Sequence, residues 1–564
     1  MADLGRVNII LFKGKECAPC KVVEKNLRNI MKSASGNASL TLIDTDEEEE
    51  LTEKYNVRNV PVVLYNNKIV LTAQQAAELI GSEQNAFSMF DAGPQQSENP
   101  FGVMDMPGQE SIGSSDSMNA LNFDSMGSGS DIFSSGSSAI FNHLFNSLIE
   151  ASVESNEEEL ARWQKFNMLT ISQKTMTLEA IQQLTRPSVG DYVHMGVLQS
   201  IVTSILAINP ASRQYLYNSA KNMGRYGNVQ FRFLSANPRM LAQSDPTAKF
   251  RDLLEGLQDL YSANSLGLPL FLASRSLVEY TEDKKKARIM VYDSAYAAQM
   301  SPIGQPVCHL LAGEIAGLIE TTLGEEHVSV IETKCWALGD PFCQFEIELG
   351  KDVDFKIQSE RPFLTETERE RFQNSLNVIS KNMYQSSLIR LILRPNPSDY
   401  IHISVLQQAL NSIKFSDPFF STLLFYAGFH YGKYGADYET IERIMEKSDL
   451  EAPMEFEEAC NVLKHYFNDP STILTRLYGR CELELEDDET AIFRIFESAI
   501  SSGLDFSSEG AMFELDKEKA TLCDYTAGFI KGRLSRLIED DIEVEETACH
   551  SLGSEFCEFR VELD

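Results

Sequence analysis

Two stretches of this chain repeat one pattern of sulfur and carboxylate side chains, and that repeat restricts the fold more than any other feature. The first holds Cys308, Glu332, Cys335 and Cys343; the second holds Cys523, Glu546, Cys549 and Cys557. Each reads E-x2-C-x7-C with a third cysteine 27 or 26 residues upstream. Three thiolates and one carboxylate make a closed four-ligand set for zinc. Spacing duplicated 214 to 215 residues apart does not arise from composition alone. A closed set leaves no position for a reactive water, so the two zinc sites are expected to be structural, not hydrolytic.

The duplication extends further. Arg186-Pro-Ser-Val-Gly-Asp-Tyr-Val-His aligns with Arg394-Pro-Asn-Pro-Ser-Asp-Tyr-Ile-His at an offset of 208, and Gly224-Arg-Tyr-Gly aligns with Gly432-Lys-Tyr-Gly. Residues 138–352 and 353–564 therefore read as two copies of one unit, each preceded by a charged helix, Glu157 to Lys165 and Thr365 to Asn374. The upstream cysteine opens a helix, Val307 to Thr322 or Ala520 to Ile538. Both helices carry C-x3-A-G-x3-G, so Gly313 and Gly317, like Gly528 and Gly532, share a face and let another backbone come close, expected to be the ligand-bearing sheet. In copy 1 the other ligands lie on a hairpin of Val328 to Thr333 and Phe345 to Leu349. Strict strand alternation puts Glu332 and Cys335 on opposite faces, so a bulge or turn is needed to aim both at one ion, and in copy 2 Glu545 rivals Glu546. Asp191, Tyr192 and His194 recur as Asp399, Tyr400 and His402; with no nucleophile beside them, they read as a buried hydrogen-bonded corner.

Residues 1–87 alternate differently. Strands are expected at Val7 to Phe12, Ser39 to Asp44, Val62 to Tyr65 and Ile69 to Leu71, and helices at Cys20 to Lys32, Glu47 to Tyr55 and Ala73 to Ile80. Cys17-Ala-Pro-Cys20 lies where the first strand meets the first helix, and unpaired N–H groups at a helix start favour a thiolate on Cys17. Cys20 lies one turn inside, placed to resolve a mixed disulfide. With Val60-Pro61 before a strand, the layout resembles thioredoxin. The resemblance implies a cis peptide at Pro61 beside the dithiol, with Cys17, Cys20 and Pro61 as the exchange site. Two departures bear on activity: Leu11 holds the place of the family's buried acid, and Glu16 replaces its tryptophan. Enzymatic activity is left open, with thiol–disulfide exchange as the available chemistry.

Residues 88–137 are rich in Ser and Gly and read as a disordered linker. A formal charge of −34 with no concentrated basic face excludes a nucleic-acid partner. No apolar stretch reaches the roughly 18–20 residues of a membrane span, and no secretory signal is visible, so the cytoplasm is the expected location. Of ten cysteines, Cys460 and Cys481 fall outside any motif.

With the ligand pattern in place, residues 138–564 resemble two 4-vinyl reductase domains, related to the Bet-type subunits of the TRAPP vesicle-tethering complex. Aromatic-sensing activators of this family carry zinc on three Cys and one Glu, matching the eight residues above. The resemblance implies an α/β fold, a buried pocket for a small hydrophobic ligand beside the metal, and a homodimer or protein partner. No ATPase or DNA-binding segment follows, and the polar residues that hold phenol have no placeable counterpart. The expected architecture is thus α/β and α+β: a thioredoxin-like domain, a linker, and two repeated α/β domains with helices and an antiparallel sheet. The leading function is a cytoplasmic sensor or adaptor with a dithiol head. The alternatives are a thiol–disulfide oxidoreductase whose C-terminal domains select substrates, and a TRAPP-like scaffold whose copies form an internal pseudo-dimer with filled pockets.

Overall fold

The computed structural model describes residues 7–15, 17–32, 38–79, 140, 143–144, 147–148, 183–208, 212–227, 237, 240, 242–262, 270–281, 285–325, 327–353, 355, 364–388, 392–394, 398–414, 420–435, 438–506 and 521–563. Glu16, the linker at 88–137 and the helix expected at Glu157 to Lys165 lie outside them.

The first unit runs β1 (Val7–Lys13), α1 (Ala18–Lys32), β2 (Ala38–Asp44), α2 (Glu49–Lys54), β3 (Val62–Tyr65) and β4 (Lys68–Leu71), followed by helix α3 over 73–79. Its sheet has the order β2-β1-β3-β4, with β1 parallel to β2 and antiparallel to β3. The unbroken apolar run in β1 follows from cover on both faces. Ile9 and Leu11 join a core with Val23, Leu27 and Ile30 of α1, while Ile10 and Phe12 pack with Leu64 and α2's Leu51. Asn66 and Asn67, at φ 45° and 70°, make the tight turn between β3 and β4. Ile140, Leu144 and Leu148, spaced four apart, are buried in the same apolar cluster as α1.

Copy 1 contains β5 (Tyr192–His194), α4 (Met195–Ile208), α5 (Ser212–Tyr226), α6 (Pro246–Leu260), β6 (Arg275–Tyr280), β7 (Lys286–Tyr292), α7 (His309–Leu323), β8 (Val328–Lys334) and β9 (Cys343–Leu349). Copy 2 contains α8 (Glu366–Leu388), β10 (Tyr400–His402), α9 (Ile403–Lys414), α10 (Phe420–Tyr434), α11 (Tyr438–Ser448), α12 (Phe456–Asn468), α13 (Ile473–Tyr478), β11 (Cys481–Leu485), β12 (Thr490–Ile495), α14 (Asp524–Leu537), β13 (Ile542–Ala548) and β14 (Cys557–Leu563). The sheets are antiparallel and matched in topology, β6-β7-β9-β8 and β11-β12-β14-β13. The small faces of α7 and α14 meet helices, not the sheet expected to receive them. A Cβ on Gly313 would sit 2.0 Å from the Tyr217 carbonyl oxygen of α5, and one on Gly528 would sit 1.9 Å from that of Phe425 in α10. The sheet packs on a different side of each helix, α7 on β8 and α14 on β13.

The copies interlock. β5 and β10 pair antiparallel, with Val193 opposite Ile401. Met195 N–H donates to the Asp399 carbonyl at 2.8 Å, and Ile403 N–H donates to that of Asp191 at 2.9 Å, a reciprocal pair about a local two-fold. The long helix α8 of copy 2 packs on α4 of copy 1.

Candidate metal centres

Cys308 and Cys523 are the residues preceding α7 and α14, each buried against its sheet. The other ligands come from the β8–β9 and β13–β14 hairpins. Of the bulge or turn expected there, the structure has a bulge, at Thr333, where the register slips between Glu332 and Lys334, and again between Glu546 and Ala548. It turns Glu332 and Glu546 inward with the cysteines and leaves Glu545 exposed, which decides between the two rivals. A short 3-10 turn, Trp336–Leu338 or His550–Leu552, then brings the chain back so that both hairpin sulfurs face one point; Gly339 and Gly553 close it at φ 96° and 83°.

In each cluster the four ligand atoms lie within 4.8 Å of one another. Sulfurs of Cys308 and Cys343 are 3.5 Å apart, and those of Cys343 and Cys335 are 3.9 Å apart. The copy 2 values are 3.5 Å for Cys523–Cys557 and 3.8 Å for Cys557–Cys549. A tetrahedron with metal–sulfur bonds of about 2.3 Å has an edge of roughly 3.8 Å. One carboxylate oxygen is already committed: Glu332 Oε2 accepts from the Cys308 N–H at 2.8 Å, and Glu546 Oε2 from the Cys523 N–H at 3.0 Å. The other oxygen, Oε1, is buried with no hydrogen-bond partner in either copy. An orphaned carboxylate oxygen aimed at three sulfurs is what a bound cation would satisfy.

The electrostatics agree. Burial, then the neighbouring Cys335, pushes the Glu332 carboxyl well above its usual range, and burial with the Cys549 charge does the same to Glu546. Burial likewise raises Cys308 and Cys523. Four acids enclosed together cannot all ionise without a cation; with one they can. Both clusters can hold a metal ion, and among the described residues they are the groupings with that geometry.

Each cluster borders a loop held from the other copy. The Arg186 guanidinium donates to the carbonyls of Arg476 at 2.7 Å and of Leu477 and Glu497 at 3.3 Å. Glu497 leads into Ser498–Ser502, whose Ser501 hydroxyl reaches the Cys557 sulfur at 3.1 Å. In return Arg394 donates to the Asp293 carbonyl at 2.9 Å, at the start of the loop that carries Tyr296 beside Cys308. Gln199 and Gln407 tie the loop ends through Ala298 and Ser502 at 3.0 and 2.8 Å. Sequence reasoning gave these arginines no role, although their recurrence at one offset marked them.

The D-Y-x-H motif is a corner, as read. Asp191 accepts from the N–H groups of Thr185 and Arg186 at 2.7 and 3.0 Å, and Asp399 from those of Leu393 and Arg394 at 2.7 and 2.6 Å. Burial, with Arg394 nearby, pushes His194 down to about 3, so it is neutral; its Nδ1 accepts from the Gly196 N–H.

In the first unit Cys17 and Cys20 form a disulfide. Cys20 N–H points at the Cys17 sulfur at 3.2 Å, Cys17 lies 3.9 Å from the Val60 carbonyl, and the Val60–Pro61 peptide is cis. Leu11 is fully buried in the apolar core. The acid on α1 that faces β1 is Glu24, held below its usual range by Lys13, 2.8 Å away.

Three segments of the chain match known families. Residues 6–79 match the thioredoxin domain family, and residues 287–349 and 514–563 match the 4-vinyl reductase domain family. Thioredoxin-1 of Drosophila yakuba is 39% identical over 62 residues, 11% of this chain and 58% of that protein. The uncharacterized protein MJ1642 of Methanocaldococcus jannaschii is 42% identical over 62 residues, 11% of this chain and 38% of its own. The chain thus spans less than two thirds of both relatives. A trafficking protein particle complex subunit 3 from Naegleria fowleri, solved covalently bound to palmitic acid, matches 25% of this chain and 79% of its own at 19% identity, with a TM-score of 0.19.

Proposed function

We propose that this chain, a thioredoxin domain joined to two 4-vinyl reductase domains, is a cytoplasmic sensor or adaptor whose body is locked by two structural zinc ions. The observation that carries the metal reading is the pair of clusters of three cysteines and one glutamate, each with an orphaned carboxylate oxygen. Cys308, Glu332, Cys335 and Cys343 hold one ion; Cys523, Glu546, Cys549 and Cys557 hold the other. Thiolate-rich closed sets select zinc over harder cations. Bound there, zinc supplies cross-linking and charge compensation. The chain's own residues do the rest: bulges aim the carboxylates, and helix starts fix the upstream sulfurs. The domain boundaries at 87, 137 and 352 belong to the same proposal.

The head contributes exchange at Cys17, with Cys20 resolving and Pro61 shaping the substrate groove. A thiol–disulfide oxidoreductase is therefore a second reading, favoured by the helix-start dithiol beside a cis-proline. A scaffold is a third, favoured by the interlocked copies and by the ring cluster of Phe467, Tyr478 and Phe529 in copy 2, with centroids 5.3 to 6.4 Å apart, which occupies space a small hydrophobic ligand would need.

Elemental analysis of the full chain tests the first reading, with two zinc ions expected per chain and one in Cys308→Ser. A metal-free folded protein would sink it. Insulin reduction that depends on Cys17 at thioredoxin-like rates would instead favour the enzyme.

A further inference from the structure

The two clusters match in the burial and spacing of their sulfurs, but the atoms around those sulfurs differ. In copy 2 the Ser551 hydroxyl donates to the Cys549 sulfur at 3.1 Å. The Ser501 hydroxyl lies 3.1 Å from the Cys557 sulfur and 3.4 Å from that of Cys523. Both serines are fully buried, so water does not compete for them. The matching positions in copy 1 are Ala297 and Ala337, also fully buried. Among the described residues no hydroxyl hydrogen-bonds a copy 1 sulfur. Other neighbours differ too: Tyr296 stands beside Cys308 where copy 2 has Ile500, Lys414 pairs with Asp524 at 2.6 Å beside the copy 2 cluster, and His309 holds the place of Asp524 in copy 1. The Lys414–Asp524 pair is internally neutral, and in direct hydrogen bonds to the sulfurs the two serine hydroxyls are the difference between the copies.

A metal-bound thiolate keeps lone pairs and remains a nucleophile. A hydroxyl donated to it stabilises its charge and lowers its reactivity toward electrophiles. Cys308, Cys335 and Cys343 lack that protection. We infer that the copy 1 cluster is an oxidation-sensitive site for peroxides and that the copy 2 cluster, shielded by Ser501 and Ser551, is the durable one. This rests on the metal reading above.

The chemistry is a two-electron oxidation of sulfur. One copy 1 thiolate attacks a peroxide oxygen; an S–O bond forms, the O–O bond breaks, and the departing hydroxide takes a proton to become water. A second thiolate attacks the sulfenic sulfur; the S–S bond forms and hydroxide leaves as water with another proton. Cys308 and Cys343, 3.5 Å apart, are closer than Cys343 and Cys335, 3.9 Å apart. With both sulfurs in a disulfide the ligand set is lost, and the metal leaves.

The test uses the zinc-loaded full chain with excess hydrogen peroxide, following released zinc with a chromogenic chelator and mapping cysteines by mass spectrometry. Two release phases of equal size are expected, separated roughly tenfold in rate. Peptides from the fast phase should carry the Cys308–Cys343 disulfide with Cys523, Cys549 and Cys557 intact. Ala297→Ser with Ala337→Ser should slow the fast phase, and Ser501→Ala with Ser551→Ala should quicken the slow one. A single phase, or a fast phase mapping to copy 2 in the unmodified chain, overturns the inference while leaving two metal sites standing. A chain that binds no zinc overturns both.

Discussion

At the scale of single residues, the informative atoms are buried acids and what satisfies them. Glu332 and Glu546 belong to clusters that could hold a cation; Glu314 belongs to neither. It lies buried on α7, accepting from the Tyr261 hydroxyl at 3.4 Å, and burial raises it from an ordinary 4.5 to about 7. A carboxyl raised on folding binds its proton more tightly in the native state. Its contribution is complete below pH 4.5 and is lost as pH rises toward 7, about 3 kcal/mol in all. Glu314→Gln should therefore match the parent in chemical denaturation at pH 4.5 and exceed it at pH 8. An equal difference at both pH values would show that Glu314 does not titrate in this window. None of this was legible in sequence, because Glu314 on an apolar helix gives no sign of which neighbours enclose it. The members of the two clusters were legible, since their spacing is duplicated.

At the scale of elements, the glycine faces of α7 and α14 carry the clearest prediction. The spacing of Gly313, Gly317, Gly528 and Gly532 correctly announced a close approach, yet the partner expected was a sheet. Periodicity tells that a face is small; it does not say what meets it. The helix α5 meets α7 because Gly224 on α5 supplies a matching notch, where a Cβ would sit 2.2 Å from the Glu314 carbonyl oxygen. Gly528→Ala should destabilise copy 2 by about 3 kcal/mol or more, since the Cβ meets rigid backbone and the helices must separate. Urea denaturation measures this, and an exposed Gly324→Ala serves only as a control for the left-handed helix end at φ 72°. The bulges at Thr333 and Thr547 are the opposite case: the ligand pattern called for a bulge or turn, and a bulge is present in both copies.

At the scale of the molecule, the two copies behave as one body. Strand pairing, the reciprocal Arg186 and Arg394 contacts and the packing of α8 on α4 all cross between them. A buried arginine without its carbonyl partners is a large cost. Copy 1 expressed alone would expose Arg394's receiving carbonyls and the edge of β5, so it should be insoluble or dimerise through that edge. Cleaving a protease site placed within 356–363 should leave two fragments that co-elute in size exclusion and part only in denaturant. Fragments that separate as folded monomers would refute the interlock. The head belongs to a different level of inference: its element order, dithiol and cis-proline followed from residues 1–87, while Ile140, Leu144 and Leu148 joining the α1 cluster did not.

Chain chemistry alone determined which side chains gather into each cluster, that the unit is duplicated, and that the first domain carries a dithiol at a helix start. These are local or repeated patterns, and spacing survives without coordinates. Tertiary structure alone decided that Glu546 and not Glu545 turns inward, that the copies hold each other's loops, and that serine hydroxyls hydrogen-bond one set of sulfurs where alanines stand at the matching positions of the other. Those outcomes depend on residues far apart in sequence meeting in a closed, water-free space, where a single oxygen atom changes what its neighbour can do.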